Sequence, residues 1–293
     1  MKLAHFILVH NKPEQLRRLV SKLEHPDVFI FVHVDKKVDI KSFEAALAHC
    51  KHVVFISKRI DVIWASYRMV EATIEAFKQI LNYPIQFDYI NILSGQDYPL
   101  KKTDSFLQFL SENPGKAFMQ SEDMMAQWKE AVPRVTRYHF VNLKMPGKYQ
   151  FEKYINRVMP MRKMPGGLIG VGRSQWFTFT PKHAAYCINE LEHQPALKRF
   201  FKFTWGSDEF VFQTLLYNSI FRDDMVNQNY RYVDWSEGNP NPKILRIIDF
   251  ELMAQTSAFF ARKFDEESDP IILDEIDKQL LGKGSLPVFP SNK

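Results

Sequence analysis

The chain has 293 residues, 45% of them hydrophobic, enough to bury one large core or two modest ones. Its formal charge of +5 is mild and reads as spread along the chain in short clusters such as Lys36-Lys37 and Lys101-Lys102. These suit solvated surface first, and an anion such as a diphosphate or lipid headgroup second. The absence of a long basic run excludes nucleic acid as a partner, and two distant cysteines, Cys50 and Cys187, exclude a disulfide framework or structural zinc site.

In chain order, Ala4 to Val9 is an apolar run that reads as a strand, and Pro13 to Leu23 carries helical spacing through Leu16, Leu19, Val20 and Leu23. Val28 to Val34 is a second strand ending at Asp35. Ser42 to Ala48 follows as a helix, His52 to Ile56 as a strand, Ala65 to Leu81 as a long helix and Phe87 to Leu93 as a fourth strand. This alternation predicts an α/β fold with a mainly parallel sheet covered by helices on both faces. Ligands then bind beyond the strand C-termini, here His10-Asn11, Asp35-Lys36, Ser57-Lys58-Arg59 and Ser94-Gly95-Gln96-Asp97. The stretch from about Glu112 to Gly172 is aperiodic and rich in Met, Arg, Pro and Gly, as binding loops with short helices are. Trp176 to Thr180 reads as a strand, and Lys182 to Leu191 and Asp208 to Tyr217 as helices. A loop around Trp235 to Pro242 precedes further helices. No domain boundary stands out. A single domain over 1–293 is expected, with a ligand-binding half at 1–110, an acceptor and catalytic half at 111–280 and a polar tail at 281–293.

Met1 to His10 is too short and polar for a signal peptide, and no run of about 18 apolar residues occurs. The expected location is cytoplasmic, with room for peripheral contact at the inner membrane. No phosphate loop, GxSxG elbow or HExxH appears, and the cluster Gly166 to Gly172 does not match GxGxxG, which disfavours a nucleotide-dependent oxidoreductase. No Asp-x-Asp stands at a strand end to hold a divalent metal. If the leaving group is a diphosphate, protein cations must balance its charge.

Five segments stand in one order: Phe31-Val32-His33-Val34-Asp35-Lys36, Ile92 to Lys101, Ser207-Asp208-Glu209, Tyr232-Val233-Asp234-Trp235-Ser236 and Phe259 to Asp265. Together they resemble the core-2/I-branching β-1,6-N-acetylglucosaminyltransferase and peptide O-xylosyltransferase family, glycosyltransferase family 14, in a bacterial-type member. The resemblance implies a GT-A-type fold and an inverting transfer, without metal or other cofactor, from a UDP-sugar to a glycan or glycolipid acceptor. GlcNAc is the expected sugar, with xylose or glucose as alternatives, and surface polysaccharide synthesis the expected setting. A catalytically inactive nucleotide-sugar-binding protein is the competing reading.

Carried onto this sequence, the resemblance makes Glu209 the general base, since a sugar hydroxyl needs a carboxylate to accept its proton. One such group suits a single displacement. A helix dipole at Glu209 would help keep it ionised, while Asp208 caps that helix; Ser207, Asp208 and Glu209 serving only as caps is the other reading. Lys263 resembles the family's diphosphate-binding cation, with Arg262 beside it, and the second cation falls near Lys243, with Arg246 also in range. Val9 and Asp35 correspond to the nucleoside contacts, although Asp35 also suits a turn. Trp64 matches a donor-side aromatic, or a core tryptophan at a helix start. Trp176 and Trp235 resemble acceptor-side rings, on which apolar sugar faces pack. Core packing is the other reading of Trp176. Gln175 stands where family members differ, and is expected to tune specificity. Asp97 is expected to hold backbone amides of the Ser94 to Asp97 turn.

Overall fold

The four strands expected in the first half form and lie side by side. The computed structural model describes residues 1–143 and 146–281, so the polar tail expected at 281–293 lies, from residue 282 on, outside the described residues. β1 (Leu3–Val9), β2 (Val28–Val34), β3 (Val53–Phe55) and β4 (Tyr89–Ser94) run parallel in the order β3-β2-β1-β4. The later strands are short: β5 (Asp97–Pro99), β6 (Ala117–Phe118), β7 (Ser121–Asp123), β8 (Val171–Arg173), β9 (Thr178–Phe179), β10 (Met225–Val226), β11 (Arg231–Val233) and β12 (Phe260–Arg262). β9 pairs antiparallel with β4, then β6 and β10 follow, giving a sheet of seven strands among the described residues. The α/β architecture with a mainly parallel, helix-flanked sheet is therefore present.

Strand alternation divides the core into two layers. Ala4, Phe6 and Leu8 of β1 and Phe29 and Phe31 of β2 face one side, against the helices Tyr67–Leu81, Pro181–His193 and Val211–Tyr217. Leu3, Ile7 and Val9, with Val28, Ile30, Val32 and Val34, face the other, against Pro13–Leu23, Thr103–Ser111 and Ile271–Ile276. Phe6, Phe31, Phe77, Phe179, Phe212 and Phe259 are all fully buried, so the phenylalanine surplus supplies core volume. Each such ring contributes about 1.5–3 kcal/mol of apolar burial.

Two small sheets carry the rest. β12 lies between β11, to which it is parallel, and β5, to which it is antiparallel, with Arg262 opposite Asp97. β7 and β8 form an antiparallel pair, with Glu122 opposite Gly172. The strand at Phe260–Arg262 stands where only helices were expected, because three residues are too few to show a period.

Two histidines are buried inside the parallel strands. His5 Nδ1 lies 2.8 Å from the Asn91 carboxamide nitrogen, and Asn91 Oδ1 accepts from the Thr178 hydroxyl at 2.7 Å and from Arg231. His33 Nε2 accepts the backbone N–H of Ile60 at 2.9 Å. Burial, then the charge of Arg231, pushes His5 down to about 3, and burial pushes His33 down to about 4, from an ordinary 6.5. Both rings are thus neutral in the fold. Their contribution is complete above pH 6.5 and is lost as pH falls towards those depressed values. Urea unfolding should show stability dropping by about 1.4 kcal/mol per pH unit for each ring below about pH 6.5. His33→Gln, which keeps an acceptor without a titrating ring, should flatten that slope; an unchanged slope in the variant would rule out His33 as a source.

Candidate active site

A cleft of about 1230 Å³ opens beyond the C-terminal ends of β1, β2 and β4. Val9, His10, Asp35, Ser94 and Gln96 line its floor, as the position of a ligand in a parallel sheet requires. The third expected strand end does not join them. Arg59 instead turns back to donate to the carbonyls of Val34, Asp35 and Val38 at 3.0, 2.9 and 2.5 Å.

On one side, Val9 lies against Gly95, where an added Cβ would stand 2.8 Å from Val9 Cγ1. Glycine at 95 therefore lets the turn after β4 close onto the end of β1. Asp35 forms a turn and also faces the cleft. Its Oδ1 accepts the Lys37 backbone N–H at 2.9 Å, forming the turn, while the carboxylate also lines the cleft with the Lys37 ammonium 3.3 Å away. Trp64 is 58% exposed, lines the cleft and meets the edge of Trp205 at a centroid distance of 5.3 Å. It is not a core tryptophan.

The opposite wall is cationic. Asp97 Oδ2 accepts the Ser94 backbone N–H at 2.7 Å, the expected turn, and its other oxygen lies 3.0 Å from Arg262 Nε. Arg262 is thereby held with its guanidinium 4.1 Å from the centre of the Trp176 ring. Trp176 is 7% exposed, so it supports Arg262 from below more than it offers an open face. Lys263 follows in the cleft wall; burial, then the adjacent Arg262 charge, lowers its ammonium below the ordinary lysine value. Lys243 is placed differently from the sequence expectation. Its ammonium lies 2.6 Å from Asp249 and 3.7 Å from Asp234, and neither it nor the exposed Arg246 is among the cleft-lining residues. Two local carboxylates draw Lys243 away, so Arg262 and Lys263 are the expected cations that the cleft brings together. Gln175 and the 55% exposed Trp235 complete the lining from the third wall and the Trp235 to Pro242 loop.

Glu209 enters from the far side, and its setting differs from the expected helix start. Ser207–Glu209 is a single 3-10 turn, Phe210 is non-helical at φ −149°, and the helix proper is Val211–Tyr217. The N-cap positions are Gly206 and Phe210, neither with a side-chain cap bond, and the Ser207 hydroxyl and Asp208 Oδ1 are buried without hydrogen-bond partners. The break follows from packing: an added Cβ on Gly172 would stand 2.3 Å from Phe210 Cβ and 2.5 Å from the Glu209 carbonyl oxygen, so β8 presses directly on this turn. A cation, not a helix dipole, faces the Glu209 carboxylate. Arg134 bonds it, with its guanidinium 5.0 Å from the Trp128 ring centre and 4.4 Å from that of Trp205. Burial raises the Glu209 carboxyl above the ordinary glutamate value, and Arg134 opposes that rise. Burial also raises Asp208, with the adjacent Glu209 charge adding to it.

Sequence reasoning did not find Arg134, Trp128, Trp205, Arg173 or Arg231, all of which line the cleft. Arg134 and Trp128 lie in the aperiodic middle, where the only available signal was a cluster of cations and aromatics in a region already read as binding loops. Arg173 holds Glu122 at 2.9 Å across β7 and β8. Among the described residues no group of three or more His, Cys, Asp or Glu side chains converges as a metal site.

Glu209 and the cations Arg262 and Lys263 thus line one cleft at the ends of parallel strands, the kind of place where α/β proteins bind ligands. A family model for the Core-2/I-branching enzymes matches residues 3–256, and the chain belongs to that family of glycosyltransferases. Xylosyltransferase 2 of Rattus norvegicus and that of Homo sapiens are each 26% identical to it, over 96% of this chain and 34% of their own. The chain thus spans about a third of the length of those relatives. Among solved structures, mouse xyloside xylosyltransferase 1 aligns over 88% of this chain and 97% of its own, at 10% identity and a TM-score of 0.41.

Proposed function

We propose that this cleft transfers a sugar, GlcNAc in the first instance, from a UDP-sugar to a carbohydrate hydroxyl with inversion and without a divalent metal. The observation that carries the reading is that Glu209, Asp35, Arg262 and Lys263 line one cavity although they lie far apart in sequence. In this reading UDP lies over Val9 and Asp35 with Trp64 at its side, and its diphosphate meets Arg262 and Lys263. Their charges take the place of a metal in stabilising the leaving group. The acceptor enters by Trp235 and Gln175, and Glu209 accepts its proton as the new C1–O bond forms and the bond to UDP breaks. Arg134 then shares or releases the Glu209 carboxylate. A UDP-xylose donor is the second reading, favoured by the xylosyltransferases among the relatives.

Purified protein incubated with a panel of UDP-sugars should release UDP from one of them preferentially, and the rate should survive excess EDTA. Release that requires added manganese would overturn the metal-free reading. Failure with every UDP-sugar, despite UDP binding, would favour the inactive-binder alternative.

A further inference from the structure

The helix Lys148–Val158 buries none of its residues, which sets it apart from the sheet-covering helices. Its inner side is tied down by polar contacts. Glu152 accepts the Phe140 backbone N–H at 2.9 Å and meets His139 at 3.2 Å, and the Asn156 amide donates to the Tyr138 carbonyl at 2.8 Å. Its outer side is apolar and basic. Tyr149 is 70% exposed, Tyr154 62% and Val158 55%, and Met161 just beyond the helix is 73% exposed. Tyr154 and Val158 stand four residues apart and form one stripe; Lys153 and Arg157, also four apart, form the adjoining stripe. Lys148 leans over the Tyr149 ring, 5.1 Å from its centre, and Lys163 is exposed nearby in sequence.

Charge makes the patch specific. Residues 146–169 hold five Lys or Arg against a single glutamate; Arg162 is buried against the carbonyls of Arg137, Phe203 and Phe200, which leaves Lys148, Lys153, Arg157 and Lys163 for the face. That one glutamate, Glu152, is the residue turned inward. Among the described residues no carboxylate pairs with Lys148, Lys153, Arg157 or Lys163. An exposed face with tyrosine, methionine and valine beside these cations suits the headgroup layer of a bilayer, where rings and methylenes sink in and ammonium and guanidinium groups meet lipid phosphates.

We propose that the face formed by Lys148–Val158 and the following Met159 to Lys163 seats this protein on an anionic membrane surface. The inference stands apart from the transfer chemistry, because membrane binding is read without turnover.

Flotation of the full chain with vesicles tests it. The protein should float with phosphatidylcholine vesicles containing about 30% phosphatidylglycerol, not with phosphatidylcholine alone, and should dissociate in about 0.5 M salt. K153E/R157E should lower the vesicle partition coefficient at least about tenfold, since each cation near an anionic surface is worth about fivefold. Y154S/M161S should lower partition while leaving its salt dependence. Circular dichroism and UDP binding should be unchanged in both variants. Equal flotation of wild type and K153E/R157E, or no flotation of the wild type, overturns the proposal. So does a dimer in sedimentation that Y154S/M161S dissolves, which would assign the face to a second copy of the chain.

Discussion

Glu209→Gln should lower sugar transfer by about 10²–10⁴-fold while leaving UDP binding within about twofold. The substitution keeps the side-chain shape and an oxygen that can still accept from Arg134, but removes the group that takes the proton. Titration calorimetry with UDP and initial rates with the preferred donor separate the two effects. A near-normal rate would remove Glu209 from the mechanism. The pH profile gives a second reading on the same residue. A base works only when deprotonated, so the rate must fall as pH drops through the Glu209 value. Burial raises that value, so the acid limb should lie above the ordinary glutamate range of about 4.3. Arg134 opposes the rise, so Arg134→Met should move the limb to higher pH, and a shift in the other direction would contradict the ion pair seen here.

The contrast between Glu209 and Lys243 shows what the sequence could and could not convey. Glu209 was legible because a motif in family order singled it out, and the cleft does receive it. Its electrostatics were not legible: the local reading put a helix dipole behind it, whereas the helix starts after Phe210 and the charge that faces it comes from Arg134, 75 residues earlier. Lys243 was reached by order alone, and its environment is local but folded back: Asp234 and Asp249, nine positions before and six after, take its ammonium. Arg262 reaches the cleft because β12 pairs with β5. That pairing joins segments 163 residues apart through strands of three, so no periodicity announces it. The long elements are the reverse case. β1, β2, β4 and the helix Pro13–Leu23 were readable almost to the residue, because six or seven positions of continuous burial mark each strand and eleven positions carry the helical period. Net charge fell between these cases. Summed over the chain it looked dispersed, and only the exposed helix Lys148–Val158 shows how much of it gathers in one place.

The glycine cluster at 166–172 matches no nucleotide-binding fingerprint, and Gly172 gives it a packing role instead. It sits in β8, and a Cβ there would stand 2.3 Å from Phe210 Cβ, 2.5 Å from the Glu209 carbonyl oxygen and 2.6 Å from Phe210 Cα. These are backbone and near-backbone atoms that no rotamer change can move. Phe210 cannot retreat, being fully buried with its ring 5.8 Å from Phe201 and 6.4 Å from Trp128. Gly172→Ala must therefore peel β8 from its place or push the Ser207–Glu209 turn towards the cleft. Overpacking of this kind costs about 1–3 kcal/mol, and a displacement of about 1 Å at a reacting group costs about 10²-fold in rate. The variant should melt several degrees lower and transfer sugar about 100-fold more slowly. Gly170→Ala is the matched control, because its Cβ would meet only the flexible Met124 side chain, at 2.9 Å from Sδ. Its rate should stay within about threefold of wild type. If Gly172→Ala kept both its melting temperature and its rate, the close approach of β8 to the Glu209 turn would not be what positions the carboxylate.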